Sequence, residues 1–179
     1  MKSLMPGAET DYTDADFQRV RGIAFEEAGI SLPDSKKTLV YSRLSRRLRE
    51  LGYGSFQSYL DFVKTPAGKP EMEKLICALT TNVTSFFREK KHFEHLEAEV
   101  LPRLARTARS GGRVRLWSAA CSTGPEPWSM AMSVMSVIPD AASHDVRLLA
   151  TDINSEVVAQ AASGTYPPSE TDGISAENR

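Results

Sequence analysis

Arg113-Val114-Arg115-Leu116-Trp117-Ser118-Ala119-Ala120-Cys121-Ser122-Thr123-Gly124-Pro125-Glu126 is the stretch whose reading decides the fold. Arg113 to Trp117 alternates as a β-strand does. The seven small residues Ser118 to Gly124 then let the backbone approach a ligand closely. The helix that follows turns its free N–H groups the same way. Pro125 suits the first turn of that helix, which is expected to run to about Ile138. Val146 to Thr151 reads as a second strand ending in Asp152, and Asn154 caps a further helix through Ala162. Strand, small-residue loop, helix, strand and acid form half of a nucleotide-binding βαβ layout. With one glycine and no Gly-Lys-Ser/Thr ending, the loop is not a phosphate-transfer loop. Glu126, in the first helical turn, complements the helix dipole and is placed to meet a cation. Asp152 stands where such folds present a carboxylate to ribose hydroxyls. The alternative is a tight strand–helix turn with a capping glutamate and an Asx turn, and the spacing alone leaves both open.

Upstream, everything is helical. Thr13 with Asp16 has the form of a capping box, Phe17, Val20, Ala24 and Phe25 follow at helical spacing, and Gly29 is a C-cap. Pro33-Asp34 opens a second helix to about Leu51, closed by Gly52, with Val40, Leu44, Leu48 and Leu51 on one face. Lys36, Arg43 and Arg47 share the opposite side, extended by Arg46 and Arg49. Ser55 caps a third helix carrying Phe56, Tyr59, Leu60 and Val63. Thr65 to Pro70 reads as a loop, and Glu71 to Thr80 as a fourth helix on Met72, Leu75, Ile76 and Leu79. His92 to Arg109 is a longer helix that Pro102 is expected to bend, ended by Gly111-Gly112. His92 and His95 read as its surface or as domain-packing residues.

The fold class is therefore α followed by α/β. A small helical domain spans residues 13–80, a linker segment and helix residues 81–112, and an incomplete Rossmann-like domain residues 113–179.

Bulk properties narrow the function. The 179 residues are 41% hydrophobic and 25% charged, a globular composition, and the net charge of -1 gives no global field for nucleic acid or an anionic membrane. No apolar run nears the roughly 18 residues of a membrane span, and Met1 to Tyr12 lacks the apolar region of a secretory signal, so a cytoplasmic protein is expected. Cys77 and Cys121 lack metal-ligand spacing and read as reduced thiols; no metal is expected.

Trp117 to Ser129 closely resembles the cofactor loop of CheR-type chemotaxis receptor methyltransferases. Thr80-Thr81-Asn82-Val83-Thr84-Ser85-Phe86-Phe87-Arg88 resembles that family's second signature. The arginine-rich helix, Thr151-Asp152-Ile153 and Gly164-Thr165-Tyr166 follow in the family's order, so the resemblance spans about Asp16 to Tyr166. One departure is Pro125, where the family commonly has an acid.

The resemblance implies an N-terminal helical domain joined to a class I methyltransferase domain that binds S-adenosyl-L-methionine and releases S-adenosyl-L-homocysteine. It implies that Asn82, Thr84 and Arg88 contact the cofactor, that Glu126 holds its methionine or amino end, and that Asp152 binds the ribose. The implied reaction is methylation of glutamate side chains on the cytoplasmic helical region of methyl-accepting chemotaxis receptors. Arg88 is the candidate catalytic group, orienting the incoming carboxylate, and a purely cofactor-binding role fits it equally. Phe86 and Phe87 read as interdomain core. The stripe Lys36, Arg43, Arg46, Arg47 and Arg49 is implied to dock the receptor; nucleic acid competes for such a stripe, but no aromatic interleaving supports it. RNA methylation is a third reading. Two strands are fewer than the family's sheet requires, so exposed apolar surface is expected. The chain is expected to be truncated at its C-terminus, or part of a swapped or assembled oligomer. The alternative function is a non-catalytic receptor-binding module.

Overall fold

The computed structural model describes residues 11–175, which fall into two compact units divided between Thr81 and Asn82. The all-helical first unit and the parallel-stranded second match the expected fold class.

In the first unit, α1 (Asp14–Ala28) begins at the capping box: Asp16 N–H donates to Thr13 Oγ1 at 3.1 Å, and Thr13 N–H to the Asp16 carboxylate at 3.0 Å. Gly29, with φ of 65°, ends it in the left-handed conformation that glycine adopts without strain. A short 3-10 turn at Asp34–Lys36 leads into α2 (Lys37–Leu51). Ser55 caps α3 (Phe56–Val63). The expected loop to Pro70 is shorter than its composition suggests: Pro66–Gly68 is a 3-10 turn, and Pro70 lies in the first turn of α4 (Lys69–Leu79), where its missing N–H costs no helical bond.

Phe17, Val20, Ile23, Val40, Leu44, Leu48, Phe56, Tyr59, Leu60 and Leu75 close one core. Burying each such aliphatic or aromatic side chain contributes about 1.5–3 kcal/mol. Phe25 and Leu51, expected on the apolar faces, are 65% and 43% exposed. Ile23 is buried in α1 instead.

In the second unit, α5 (Lys90–His95), a π turn at Leu96–Val100 and α6 (Leu101–Arg109) follow one another. Leu101 N–H reaches the Leu96 carbonyl five residues back, just before Pro102, so a change of hydrogen-bond register precedes the proline. β1 (Val114–Ala119) and β2 (Val146–Thr151) pair in parallel, Val114 opposite Val146 through Ala119 opposite Thr151. Between them runs α7 (Pro125–Val137), and α8 (Ser155–Ser163) follows β2. Val114 and Leu116 join Leu101, Ala105, Ala108, Val134 and Ile138 in a second core, so α6, expected in the linker, packs as part of this unit. On the other face the register partners Trp117 and Leu149 are 64% and 57% exposed, the apolar surface expected of two strands. Among the described residues no helix is long and apolar enough to cross a membrane.

Candidate cofactor site

The loop from β1 to α7 leaves ordinary backbone geometry three times, with φ of 68° at Ala120, 50° at Ser122 and 103° at Gly124. Each turn is held from outside. Cys121 N–H donates to the Thr151 carbonyl at 2.8 Å, carrying the strand pairing one step past β1. Ser122 N–H donates to Asp152 Oδ2 at 2.8 Å, and Asn154 N–H to Oδ1 at 2.9 Å. Two backbone donors thus fix the Asp152 carboxylate in orientation, and Asn154 in turn accepts from Glu156 N–H at the start of α8. At Gly124 a Cβ would lie 2.3 Å from Tyr166 Oη and 2.9 Å from Ala161 Cα, so glycine is required there by space as well as by φ. Tyr166 Oη donates to the Thr123 carbonyl at 2.7 Å.

Glu126 is exposed, and its Oε1 accepts from the buried Ser118 hydroxyl at 2.6 Å. Cys121, within the loop, is buried; burial first, then the Asp152 charge, pushes its thiol pKa up. Its thiol is therefore neutral and a poor nucleophile at neutral pH.

The Asn82 carbonyl accepts from Ser122 Oγ at 3.0 Å, so this segment is tied to the same loop that holds Asp152. Further along, Phe87 N–H donates to Ser129 Oγ at 2.9 Å. Thr84 is half-buried on the segment. Arg88 is exposed and donates to the Val83 carbonyl at 2.8 Å, within its own segment; it forms no ion pair with Glu126 or Asp152. Phe86 packs edge-on against Tyr166, and Phe87 against Phe93, within the second unit. His92 and His95 are exposed. Asn82, Asp152 and the loop are thus linked through Ser122, and Glu126 joins them through Ser118 at the end of β1. Ser118, Ser122 and Tyr166 were missed as positioning groups: Ser122 and Tyr166 bind partners 30 to 43 residues away, and a serine in a small-residue run gives no sign of which side chain it meets.

A loop of close-approaching backbone flanked by two carboxylates suits a cofactor with ribose hydroxyls and a cationic amino acid end. S-adenosylmethionine has both, and Asp152 and Glu126 are the residues that would hold them.

In the first unit the basic stripe divides. Lys36, Arg46 and Arg49 are exposed, Arg46 pairing with Glu50 at 2.9 Å and Arg49 Nε donating to the Ser45 carbonyl at 3.2 Å. Arg43 and Arg47 are half-buried and directed inward, which corrects the expectation that they share a solvent face with Lys36. Arg47 makes a two-pronged pair with the buried Glu71, both contacts 2.6 Å, and Tyr59 donates to the same carboxylate at 3.0 Å. Burial, then the Glu71 charge, drives the Tyr59 pKa far up. Arg43 donates to the end of α4. These acceptors come 24 to 37 residues later, beyond the reach of a helical wheel.

Residues 15–80 match the family model described as CheR methyltransferase, all-alpha domain, and residues 82–179 match CheR methyltransferase, SAM binding domain. A probable chemotaxis protein methyltransferase of Rhizobium etli is 48% identical over 151 residues, covering 84% of this chain and 56% of the relative. The chemotaxis protein methyltransferase of Escherichia coli is 42% identical over 155 residues, 86% of this chain and 51% of that protein. The Salmonella typhimurium protein is 41% identical over 186 residues, 98% of this chain and 62% of its own length. The chain thus spans a little over half the length of these relatives.

Proposed function

The chain belongs to the CheR methyltransferase family, whose matched domain takes S-adenosylmethionine as cofactor, and from that premise we propose that it serves the methylation of glutamate side chains on methyl-accepting chemotaxis receptors in the cytoplasm. The observation that carries this reading is the pair of oriented carboxylates at the strand ends, Asp152 on two backbone N–H groups and Glu126 on Ser118. When bound, the cofactor supplies a sulfonium methyl; transfer forms an O–C bond while the S–C pair stays with sulfur, leaving a thioether and a methyl ester. Glu126 attracts the cofactor's ammonium group, Asp152 accepts from ribose hydroxyls, and Asn82 and Thr84 line the segment beside the loop. A receptor glutamate is already ionised at neutral pH, so these residues need remove no proton. Their task is alignment and exclusion of water. Among the described residues the Arg88 guanidinium donates to the Val83 carbonyl of its own segment, and its remaining donors are the groups that orient the incoming carboxylate.

On the first unit, the exposed cations Lys36, Arg46 and Arg49 are the groups offered to an acidic receptor helix, with Arg43 half-buried behind them and Arg47 neutralised by Glu71. The test is incubation with methyl-labelled S-adenosylmethionine and receptor-bearing membranes. Base-labile methyl label on receptor protein is expected. Receptor binding without label would favour the alternative of a binding module, and label on RNA would overturn the substrate class.

A further inference from the structure

The last turn of α4 leaves backbone carbonyls without helical N–H partners, and these carry the negative end of the helix dipole. Helices commonly satisfy them with a left-handed glycine, as α1 and α2 do at Gly29 and Gly52. α4 has none: Thr80 is extended, with φ of -74° and ψ of 152°, so the chain leaves the helix directly. Its own N–H and hydroxyl both donate to the Cys77 carbonyl.

The missing partners come from another helix. Arg43, in the middle of α2, directs Nη1 at three successive carbonyls, 3.3 Å from Ala78, 2.9 Å from Leu79 and 2.6 Å from Thr80. Nη2 donates to Thr81 Oγ1 at 3.1 Å. The two N–H groups of Nη1 are shared among the three carbonyls while Nη2 reaches Thr81 Oγ1; a lysine ammonium, one nitrogen on a flexible stem, can meet the carbonyls but not the Thr81 hydroxyl as well. Nor is Arg43 spread along α2 in the way of a solvent-facing cation: Arg46, three residues on, is exposed and pairs within its own helix.

The capped carbonyls immediately precede the cofactor segment. Asn82 follows Thr81, and its carbonyl is held by Ser122 Oγ at 3.0 Å. Backbone freedom at Thr80–Thr81 therefore passes straight into the residue that begins the segment.

We infer that Arg43 is a positioning residue for the cofactor segment: by capping α4 it fixes the backbone at Thr80–Thr81, and so the start of the stretch carrying Asn82, Thr84 and Arg88. This rests on the reading that the segment lines the S-adenosylmethionine site. It separates Arg43 from the exposed cations of the same helix, since charge alone suffices for attracting an acidic partner, whereas a cap needs the donor geometry.

The experiment compares the wild-type chain with Arg43→Ala, Arg43→Lys and, as a control, Lys74→Ala, which removes an exposed cation from α4 itself. Two quantities are read: amide hydrogen exchange at Leu79 and Thr80 without ligand, and affinity for S-adenosylhomocysteine by calorimetry. Loss of charge-assisted hydrogen bonds of this kind predicts about tenfold faster exchange and about tenfold weaker binding in Arg43→Ala. Exchange in α1 and α3 stays as in wild type, Arg43→Lys recovers only part of either loss, and Lys74→Ala changes neither. Wild-type exchange at Leu79 and Thr80 in Arg43→Ala would overturn the inference. So would equal acceleration throughout α1 to α4, which would make Arg43 a general stabiliser of the helical unit, or full recovery by Arg43→Lys. Should Arg43→Ala fail to fold, Thr81→Val removes only the Nη2 acceptor and is expected to weaken binding by about threefold; unchanged affinity there would count against the inference. A wild-type chain that binds no S-adenosylhomocysteine would sink the cofactor reading instead, with the exchange arm still deciding the cap.

Discussion

Ser118 and Glu126, eight residues apart, are joined by a 2.6 Å hydrogen bond from the serine hydroxyl to Oε1 of the glutamate. The serine is buried at the end of β1 and the carboxylate is exposed in the first turn of α7. A rigid strand thus orients a carboxylate that a free glutamate side chain would leave among many rotamers. Ser118→Ala is expected to keep the fold and to weaken S-adenosylhomocysteine binding by about tenfold, the scale of one hydrogen bond to a charged group. Calorimetry alongside a thermal melt checks it; a lowered melt with unchanged affinity would assign the serine to stability alone.

Gly124→Ala is expected to be costly for two separate reasons. A φ of 103° strains any other residue, and the new Cβ meets Tyr166 Oη at 2.3 Å and Ala161 Cα at 2.9 Å. Together these predict about 2–4 kcal/mol of destabilisation in urea unfolding. Adding Tyr166→Phe removes the hydroxyl contact but not the one with Ala161, so only partial recovery is expected.

The buried Glu71 holds Arg47 and Tyr59 at once. Glu71→Ala leaves a half-buried guanidinium and a buried hydroxyl without their acceptor and is expected to cost about 3 kcal/mol. Arg47→Ala should also lower the unfolding midpoint, which a solvent-facing docking cation would not do.

Asp140 contributes to the acid dependence of stability. Hydrogen bonds from Arg109, then from His144, hold its carboxyl well below the usual carboxylate range. Its ionised form is favoured in the folded state, so its stabilisation is complete above the unfolded pKa of about 3.9 and fades as pH falls below that. Asp140→Asn should therefore show a shallower loss of stability than wild type between about pH 4 and pH 2. An equally steep loss in both would remove Asp140 from the account.

Arg46→Glu with Arg49→Glu is expected to weaken association with a receptor's cytoplasmic fragment, most clearly at low salt, while leaving S-adenosylhomocysteine affinity unchanged. Equal receptor affinity at low salt would discard the docking stripe.

What was legible in the sequence was local. The capping box of α1, the glycine ends of α1 and α2, and the alternation of β1 depend on neighbours a few residues away, and each forms close to where the pattern puts it. Pro102 announces a disturbance, but the π turn that precedes it is a choice of hydrogen-bond register that residue identity does not reveal. Phe25 and Leu51 fit an apolar face on a wheel yet remain exposed, because tertiary packing decides which part of a face is covered. Within the site, the loop and its two acids were visible as a pattern of small residues and strand ends. The hold of Ser122 on the loop and the inward aim of Arg43 and Arg47 were not, because their partners lie 24 to 40 residues along the chain, and nothing in a small-residue run marks Ser118 as the partner of Glu126.

The central claim is that this loop and its two carboxylates hold S-adenosylmethionine, and calorimetric titration of the chain with S-adenosylhomocysteine tests it most directly. Saturable one-to-one binding is predicted, weakened at least about tenfold by Asp152→Ala and again by Glu126→Gln. Binding whose affinity is the same in wild type and both variants would contradict the account.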